Sequence, residues 1–568
     1  MLSVSGKNWE ETRVNKRIID KVKNDTNFSD LVSKIIISRK FNNLELSSLK
    51  NSIVLPNPFK NEKDFQIGHQ ILRETIQFDK KIIIIGDYDV DGCISTSLFI
   101  NFFKMIKKQN IEYYIPNRFS DGYGASLQLI KKIIKKKPDL IIMLDCGSNA
   151  HASIEFLNSK KIKTIVIDHH ETYKPYPKTH CLINPKKESN YKKYDYFCTS
   201  SLVYFFIDSY LNKKNLKRLF EKNLIYVVLA TICDLMPLRD LNRIITINVF
   251  NNLKNYDFSI LKKFLEIKMI KRILTIEDFS FLIGPIINSA GRLGDANKIV
   301  ELITCNNDKI KDQILNDIFK TNERRKNIEK NFIKELNLDN IDKTKDDVLV
   351  LYEKICNEGI TGIIASRLKE IFNKPSIVLT QSNNIYKASA RSTRNFNLGK
   401  YIKYAIDKNL ILNGGGHNLA AGFTIKKEKI KNFKEYINKS FKKEKISTNQ
   451  EYISKISLNL INNKFYNDIK VLEPFGSGNE NPIFFIENVK IHKPKIIKNN
   501  LISFFIKSKT GKMIPSISFN FLESNIGRTI LYYKNNVNLI VQIKENIWNN
   551  KKNLQLMVID MITDLNKA

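Results

Sequence analysis

Only seven of the 568 residues are cysteine (Cys93, Cys146, Cys181, Cys198, Cys233, Cys305, Cys356), and no two stand in a C-x-x-C pair. That excludes a thiolate zinc site of the usual spacing and a dense disulfide framework. It fits reduced thiols in a cytoplasmic compartment. No stretch reaches the roughly 18 uninterrupted apolar residues of a membrane span. Met1 to Arg17 is polar and charged, without the apolar core of a signal peptide. Internal repeats and long low-complexity linkers are missing too. Acidic residues are outnumbered: 93 Lys and Arg against 58 Asp and Glu leave a formal charge of +35. Such an excess favours a polyanionic partner, nucleic acid before a membrane surface. An A+T-rich coding bias toward Lys, Ile and Asn would also raise it, so the charge is supporting evidence only.

What is present reads as a multidomain α/β chain with a β-rich end. Met1 to about Phe59 is polar and helical and ends in the breaker Pro56-Asn57-Pro58. Lys81 to Ile85 is a continuous β-branched run, as expected of a strand buried on both faces. Helices at Cys93–Lys108, Leu127–Lys136 and about Ala150–Lys160 then alternate with strands at Ile111–Ile115, Asp139–Leu144 and Thr164–Ile167. This alternation predicts a parallel, doubly wound sheet, with ligands bound outside the carboxyl ends of its strands. From about Lys298 to Leu338 the sequence is charged and contains no Gly or Pro, so it reads as one long connecting helix. A second α/β domain follows, with a glycine cluster at Gly414–Gly416. From about Asn449 short strands suggest a small barrel of the OB type.

The acids sit where such a sheet binds ligands. Gly86-Asp87-Tyr88-Asp89-Val90-Asp91-Gly92 resembles the start of an EF-hand loop, but position twelve from Asp87 is Leu98 and a strand precedes it. A helix cap explains one of these aspartates and not three; a bound cation would neutralise them all. Asp145 follows the third strand, where a cap is as good an explanation as a ligand. Asp168-His169-His170 follows the fourth, spending two of only 7 histidines side by side. Asp234 ends the apolar helix Leu224 to Ile232, just before Pro237. Together Asp87, Asp89, Asp91, Asp145, His169 and Asp234 could hold two divalent ions with a shared carboxylate. Such a pair suits in-line displacement at phosphorus without a nucleophilic Ser or Cys.

These segments, GDYDVDG, LDCGS, DHHE and ICDLMPL in this order, resemble the successive motifs of the DHH phosphoesterase superfamily. Gly414-Gly415-Gly416-His417 with Ala420-Ala421-Gly422 resembles the glycine-rich motif of its DHHA1 domain. Residues 116–124 (PNRFSDGYG), 288–296 (NSAGRLGDA) and 474–476 (PFG) are typical of the RecJ family of single-strand-specific 5′→3′ DNA exonucleases. The similarity runs from about residue 60 to the C-terminus.

The resemblance implies a domain order: a helical segment at 1–59, a DHH domain at 60–297, a connecting helix at 298–345, a DHHA1 domain at 346–448 and an OB-like domain at 449–568. It makes Asp89, Asp91, Asp145, His169 and Asp234 the metal ligands, with Asp145 bridging and Asp87 an extra contact. His170 would face the scissile phosphate, while Arg118, Arg292, Ser389, Arg391 and His417 would hold the DNA backbone or its 5′ end. The arginine forks suit phosphate; any single Arg could equally be a solvated charge, and for Ser389 the two readings are even. The implied cofactors are two Mn²⁺ or Mg²⁺ ions. The implied partners are single-stranded DNA, a single-strand-binding protein and a helicase, for a cytoplasmic monomer with no membrane attachment. One departure is Cys356-Asn357-Glu358-Gly359, where the family often carries a Trp-His-Gln-Gly-like stretch. In the barrel, Phe504, Phe505, Phe519, Tyr532, Tyr533 and Trp548 are available for base stacking, although most barrel aromatics are core. Two rivals remain: a DHH phosphodiesterase for short oligonucleotides or cyclic dinucleotides, and an inactive nucleic-acid-binding protein.

Overall fold

Ile82–Ile85 and Leu140–Leu144 are buried along their whole length, as their unbroken apolar sequences require of central strands. In the computed structural model they lie side by side in a five-stranded sheet. Its order is Ile111–Tyr114, Ile82–Ile85, Leu140–Leu144, Lys163–Ile167, Cys181–Ile183, and every pair is parallel. The chain enters at the second strand, steps outward to the first, then crosses back to the third. The topological switch point therefore lies between Ile85 and Leu144, where Asp87 and Asp145 emerge. The structure describes residues 2–49, 53–188, 191–256, 258–336, 338, 341, 346–352, 356–382, 384–393, 396–443, 449–497, 501–519, 524–548 and 551–563.

Helices cover the sheet. Val90–Met105 and Leu224–Cys233 are buried on nearly all sides, which explains the uniformly apolar sequence of the second and the small or apolar residues of most of the first. The last strand of the sheet, Cys181–Ile183, is too short to stand out in the sequence. The expected single connecting helix is two. Asn297–Thr304 ends before Asn307, whose side chain accepts from the amides of Lys309 and Ile310 and starts Asp308–Glu335. Most of the stretch expected to link this helix to the next domain lies outside the described residues.

A second, mixed sheet has the order Asn413–Gly416, Ala420–Ile425, Ile385–Arg391, Ser376–Ser382, Leu349–Leu351. The C-terminal strands form a barrel: Phe484–Ile497, Leu501–Lys507, Met513–Ser518, Lys551–Ile562 and Val537–Trp548 pair in turn, and Val537–Trp548 closes back onto Phe484–Ile497. The N-terminal segment is not purely helical. Asn8–Glu11 is a strand that pairs in parallel with Asn449–Tyr452, which ties the chain's start to the barrel. Of the barrel aromatics, Phe504 is buried, Tyr533 is half-buried, and Phe505, Phe519 and Tyr532 are exposed; the Trp548 side chain lies outside the described residues.

Candidate metal and phosphate site

The turn after Ile82–Ile85 leads straight into Val90–Met105. A Cβ on Gly92 would lie 2.4 Å from the Asp87 backbone, so glycine is what lets the first helical turn sit on the strand end. Asp89 caps this helix, accepting from the Gly92 amide at 3.0 Å. The cap explanation thus holds for one aspartate of the three. Asp91 instead reaches across to the helix Thr199–Tyr210 and accepts from the amides of Thr199 (2.7 Å) and Ser200 (2.8 Å). It supplies the anion that helix N-terminus favours. Asp145 has φ of 60°, a left-handed conformation that aims its side chain back into the cluster, and accepts from Thr199 Oγ1 at 3.0 Å. Thr199 and Ser200 are site residues that sequence reasoning missed. Cys198-Thr199-Ser200-Ser201 before an apolar run marks a helix start, but nothing local reveals that its partners are Asp91 and Asp145.

His169 stands at the centre. Its Nε2 is 3.4 Å from Asp145 Oδ1, 3.4 Å from Asp234 Oδ2 and 4.0 Å from Asp91 Oδ2. Three sets have ligand atoms within 4.8 Å of one another: Asp91, His169 and Asp234; Asp87, Asp89 and Asp145; and Asp145, His169 and His170. Asp145 belongs to two of them. All six residues expected to ligate metal therefore converge, together with His170, from segments spread over residues 87–234.

The electrostatics show how unfavourable this cluster is by itself. Burial and the neighbouring Asp89 push Asp87 up to about 8. Burial, reinforced by Asp91 and Asp89, raises Asp145 and Asp234 far above the usual carboxylate range. Burial and the His170 cation press His169 down to about 4, so its imidazole is neutral at pH 7, the form that ligates a metal. Oxygen donors with one neutral imidazole fit a hard divalent ion.

Asp168 serves differently. Its buried carboxylate accepts from the amides of Ser148, His169 and His170 and from His170 Nδ1 at 2.8 Å. Burial opposes the His170 charge, yet Asp168 prevails and lifts the ring to about 10. His170 Nε2 lies 3.1 Å from the Tyr123 hydroxyl.

Guanidinium groups gather close by. Arg118 stacks over Tyr88 at 4.0 Å and donates to the Gly291 carbonyl (3.3 Å), and Arg292 donates to the Gly359 carbonyl (3.2 Å). Burial, then Arg118 and Arg391, lowers Arg292 to about 10; burial and Arg118 also lower Arg391. The arginines thus lie in one another's fields, with Arg391 supplied by the second sheet. Ser389, in the same strand, shares a hydrogen bond with Thr361 (3.1 Å). His417 is exposed and lies in the field of Arg391 and, more weakly, of His170. The departing stretch 356–359 packs its glycine so tightly that a Cβ there would lie 2.0 Å from the Arg292 carbonyl.

Residues 81–232 match the DHH family, N-terminal domain, residues 345–443 the DHHA1 domain, and residues 454–560 the RecJ OB domain. With the acid-lined switch point, these define a DHH-family protein that carries a DHHA1 domain and an OB barrel. Over 390 residues the chain is 30% identical to the single-stranded-DNA-specific exonuclease RecJ of Escherichia coli, covering 64% of this chain and 67% of that one. The RecJ of Haemophilus influenzae is 28% identical over 503 residues, 82% and 86% of the two chains. The crystal structure of RecJ in complex with Mn²⁺ from Thermus thermophilus shares the fold, with a TM-score of 0.80 at 20% identity over 98% of this chain and 79% of that one. The chain belongs to the RecJ family.

Proposed function

We propose that this protein is a single-stranded-DNA-specific exonuclease that hydrolyses phosphodiester bonds from the 5′ end and releases 5′-mononucleotides, in DNA repair and recombination. The observation that carries the reading is the convergence of Asp87, Asp89, Asp91, Asp145, Asp234 and His169, in which the raised pKa values of Asp87, Asp145 and Asp234 call for cations. These six residues would hold two divalent ions, Mn²⁺ or Mg²⁺, with Asp145 shared between them. When bound, such a pair supplies a hydroxide nucleophile near neutral pH and neutralises charge on the phosphoryl oxygens.

The remaining residues bind and orient. His170, fixed and favoured in its cationic form by Asp168 at Nδ1, presents Nε2 beside the Tyr123 hydroxyl, where it would turn to a phosphoryl oxygen. Arg118, Arg292 and Arg391, with Ser389 and His417, bind the DNA backbone or its 5′ phosphate. We assign metal and phosphate chemistry to residues 60–297, the remainder of the phosphate grip to 346–448 beyond a connecting region at 298–345, and strand binding to 449–568. No helix among the described residues is long and apolar enough to cross a membrane. We further propose a cytoplasmic monomer that works beside a single-strand-binding protein and a helicase.

One assay tests this: Mn²⁺ with 5′-labelled single-strand, duplex and dinucleotide substrates. Mononucleotide release from the single strand is expected. Preference for the dinucleotide would favour a small-substrate phosphodiesterase, and binding without cleavage an inactive binding protein.

A further inference from the structure

Asp234 is held less directly than the other acids. Asp91 accepts from two backbone amides, whereas the Asp234 carboxylate, 30% exposed, has His169 as its near contact among the described residues. It ends the helix Leu224–Cys233 on a tight turn in which Leu235 has φ of 56° and the Met236 amide donates to the Thr231 carbonyl (3.0 Å). The next residues, Pro237 to Arg239, are fixed by the C-terminal domain. The Leu238 amide donates to the Ser477 carbonyl at 2.7 Å. A Cβ on Gly476 would lie 2.6 Å from Leu238 Cδ1. One on Gly478, whose φ is +72°, would lie 3.1 Å from Pro237 Cβ. Only glycine allows the loop to press so closely on the segment behind Asp234.

The loop is itself locked. Asn479 is fully buried; its amide donates to the carbonyls of Leu472 (3.0 Å) and Pro474 (2.7 Å), and its oxygen accepts from Arg39 (2.5 Å). Arg243, also fully buried, donates to the carbonyls of Leu472 (2.9 Å) and Glu473 (2.8 Å). Arg239 forks onto the buried Glu45, and Phe41 packs beneath both Arg239 and Arg243. N-terminal helices, barrel loop and Asp234 segment thus meet in one joint.

We propose that the loop Phe475–Asn479, locked by Asn479, is a positioning element for Asp234, so that the C-terminal domain sets the geometry of one metal ligand. The inference rests on the metal-holding role proposed for Asp234. Asn479 and Ser477 act at a distance, through the Ser477 carbonyl on the Leu238 amide and the 237–239 backbone.

The test is Mn²⁺ binding to the full chain, followed through the electron paramagnetic resonance signal of free Mn²⁺. Wild type, Asp234→Ala, Asn479→Ala and Gly478→Ala are compared, and melting in chelator reports folding. Folded Asn479→Ala should bind the Asp234-dependent ion about tenfold more weakly, lose rate at low Mn²⁺ and recover it at high Mn²⁺. Its single-strand binding in chelator should be unchanged. A lower melting temperature with a wild-type Mn²⁺ isotherm would show a purely structural joint and overturn the proposal. If Asn479→Ala does not fold, Gly478→Ala decides by the same isotherm. A wild-type protein that binds no Mn²⁺, or an Asp234→Ala isotherm equal to wild type, would instead defeat the metal role of Asp234 itself.

Discussion

Two of the places where this protein buries aspartate do so in opposite ways. In the barrel, Asp560 is fully buried and accepts from Ser3 Oγ (2.7 Å), Ser5 Oγ (2.5 Å) and Trp9 Nε1 (2.8 Å), all neutral donors brought by the N-terminal segment. At the switch point, Asp145 is buried and Asp234 half-buried among other carboxylates, and desolvation plus like charge drives their pKa values up. Burial alone does not mark a functional carboxylate. Burial without enough donors does, because the missing compensation is the place for a ligand.

The sharpest way to break this contrast is to neutralise one carboxylate of each kind. Asp145→Asn should lower cleavage by about 10³-fold or more, since a catalytic ion supplies several kcal/mol and each 1.36 kcal/mol is about tenfold. In chelator it should bind single-stranded DNA normally and melt no lower than wild type, because a repulsive charge is gone. Normal turnover would remove Asp145 from the bridging position. Asp560→Ala should do the reverse. It leaves the buried Ser3 hydroxyl and Trp9 indole N–H without their carboxylate acceptor, so unfolding free energy should fall by about 2 kcal/mol, while the folded fraction keeps its turnover. Unchanged denaturant stability would deny Asp560 its structural role.

Metal removal gives the next effect, with a definite pH sign. Asp87, Asp145 and Asp234 have folded pKa values above their unfolded ones, so in metal-free protein they favour folding at low pH and lose that contribution as pH rises. For Asp87 the loss runs through about 8. His169, pressed down to about 4, works the other way only up to about 6.5, its ordinary value. Between pH 6.5 and 8 the carboxylates and His170, whose folded value is about 10, therefore act in the same direction. In EDTA the melting temperature should fall across that window, and saturating Mn²⁺ should flatten the fall. Calorimetry in that range should also show protons released as Mn²⁺ binds. A pH-independent gap between the two melting curves would contradict this electrostatic picture.

Much of this site was legible because its signals are local. Buried runs such as Ile82–Ile85 and Leu140–Leu144 announce strands, and acids directly after them fall at strand ends whatever the later packing. The paired histidines were conspicuous in so histidine-poor a chain, but only the fold separates their roles: His169 Nε2 faces the acids, while Asp168 turns His170 outward and charges it. What stayed hidden depends on distant pairing. Asn8–Glu11 is polar and short, and only Asn449–Tyr452 makes it a strand. Thr199 and Ser200 look like an ordinary helix start until Asp91 is found against them. The break at Asn307 is a side-chain cap, and the absence of Gly and Pro around it leaves the stretch reading as one helix.

The contrast extends to positive charge, and there it predicts the smallest effect. Arg243 is buried with its fork turned to the Leu472 and Glu473 carbonyls and Ser48 at its Nε. Arg118, Arg292 and Arg391 are drawn into mutual repulsion, and among the described residues none is in salt-bridge range of a carboxylate. An anion with several oxygens resolves that repulsion as cations resolve the acids. Arg391→Ala should therefore weaken binding of 5′-phosphorylated single strands by similar factors whatever their sequence, and reduce the slope of log affinity against log salt by about one. Removing the 5′ phosphate from the DNA should shrink the difference between variant and wild type if this group is the anion held there. Arg243→Ala should leave the salt slope of the folded protein unchanged and lower its stability instead. Equal salt slopes for Arg391→Ala and wild type would mean that the gathered guanidiniums do not bind phosphate, and that their closeness has some other cause.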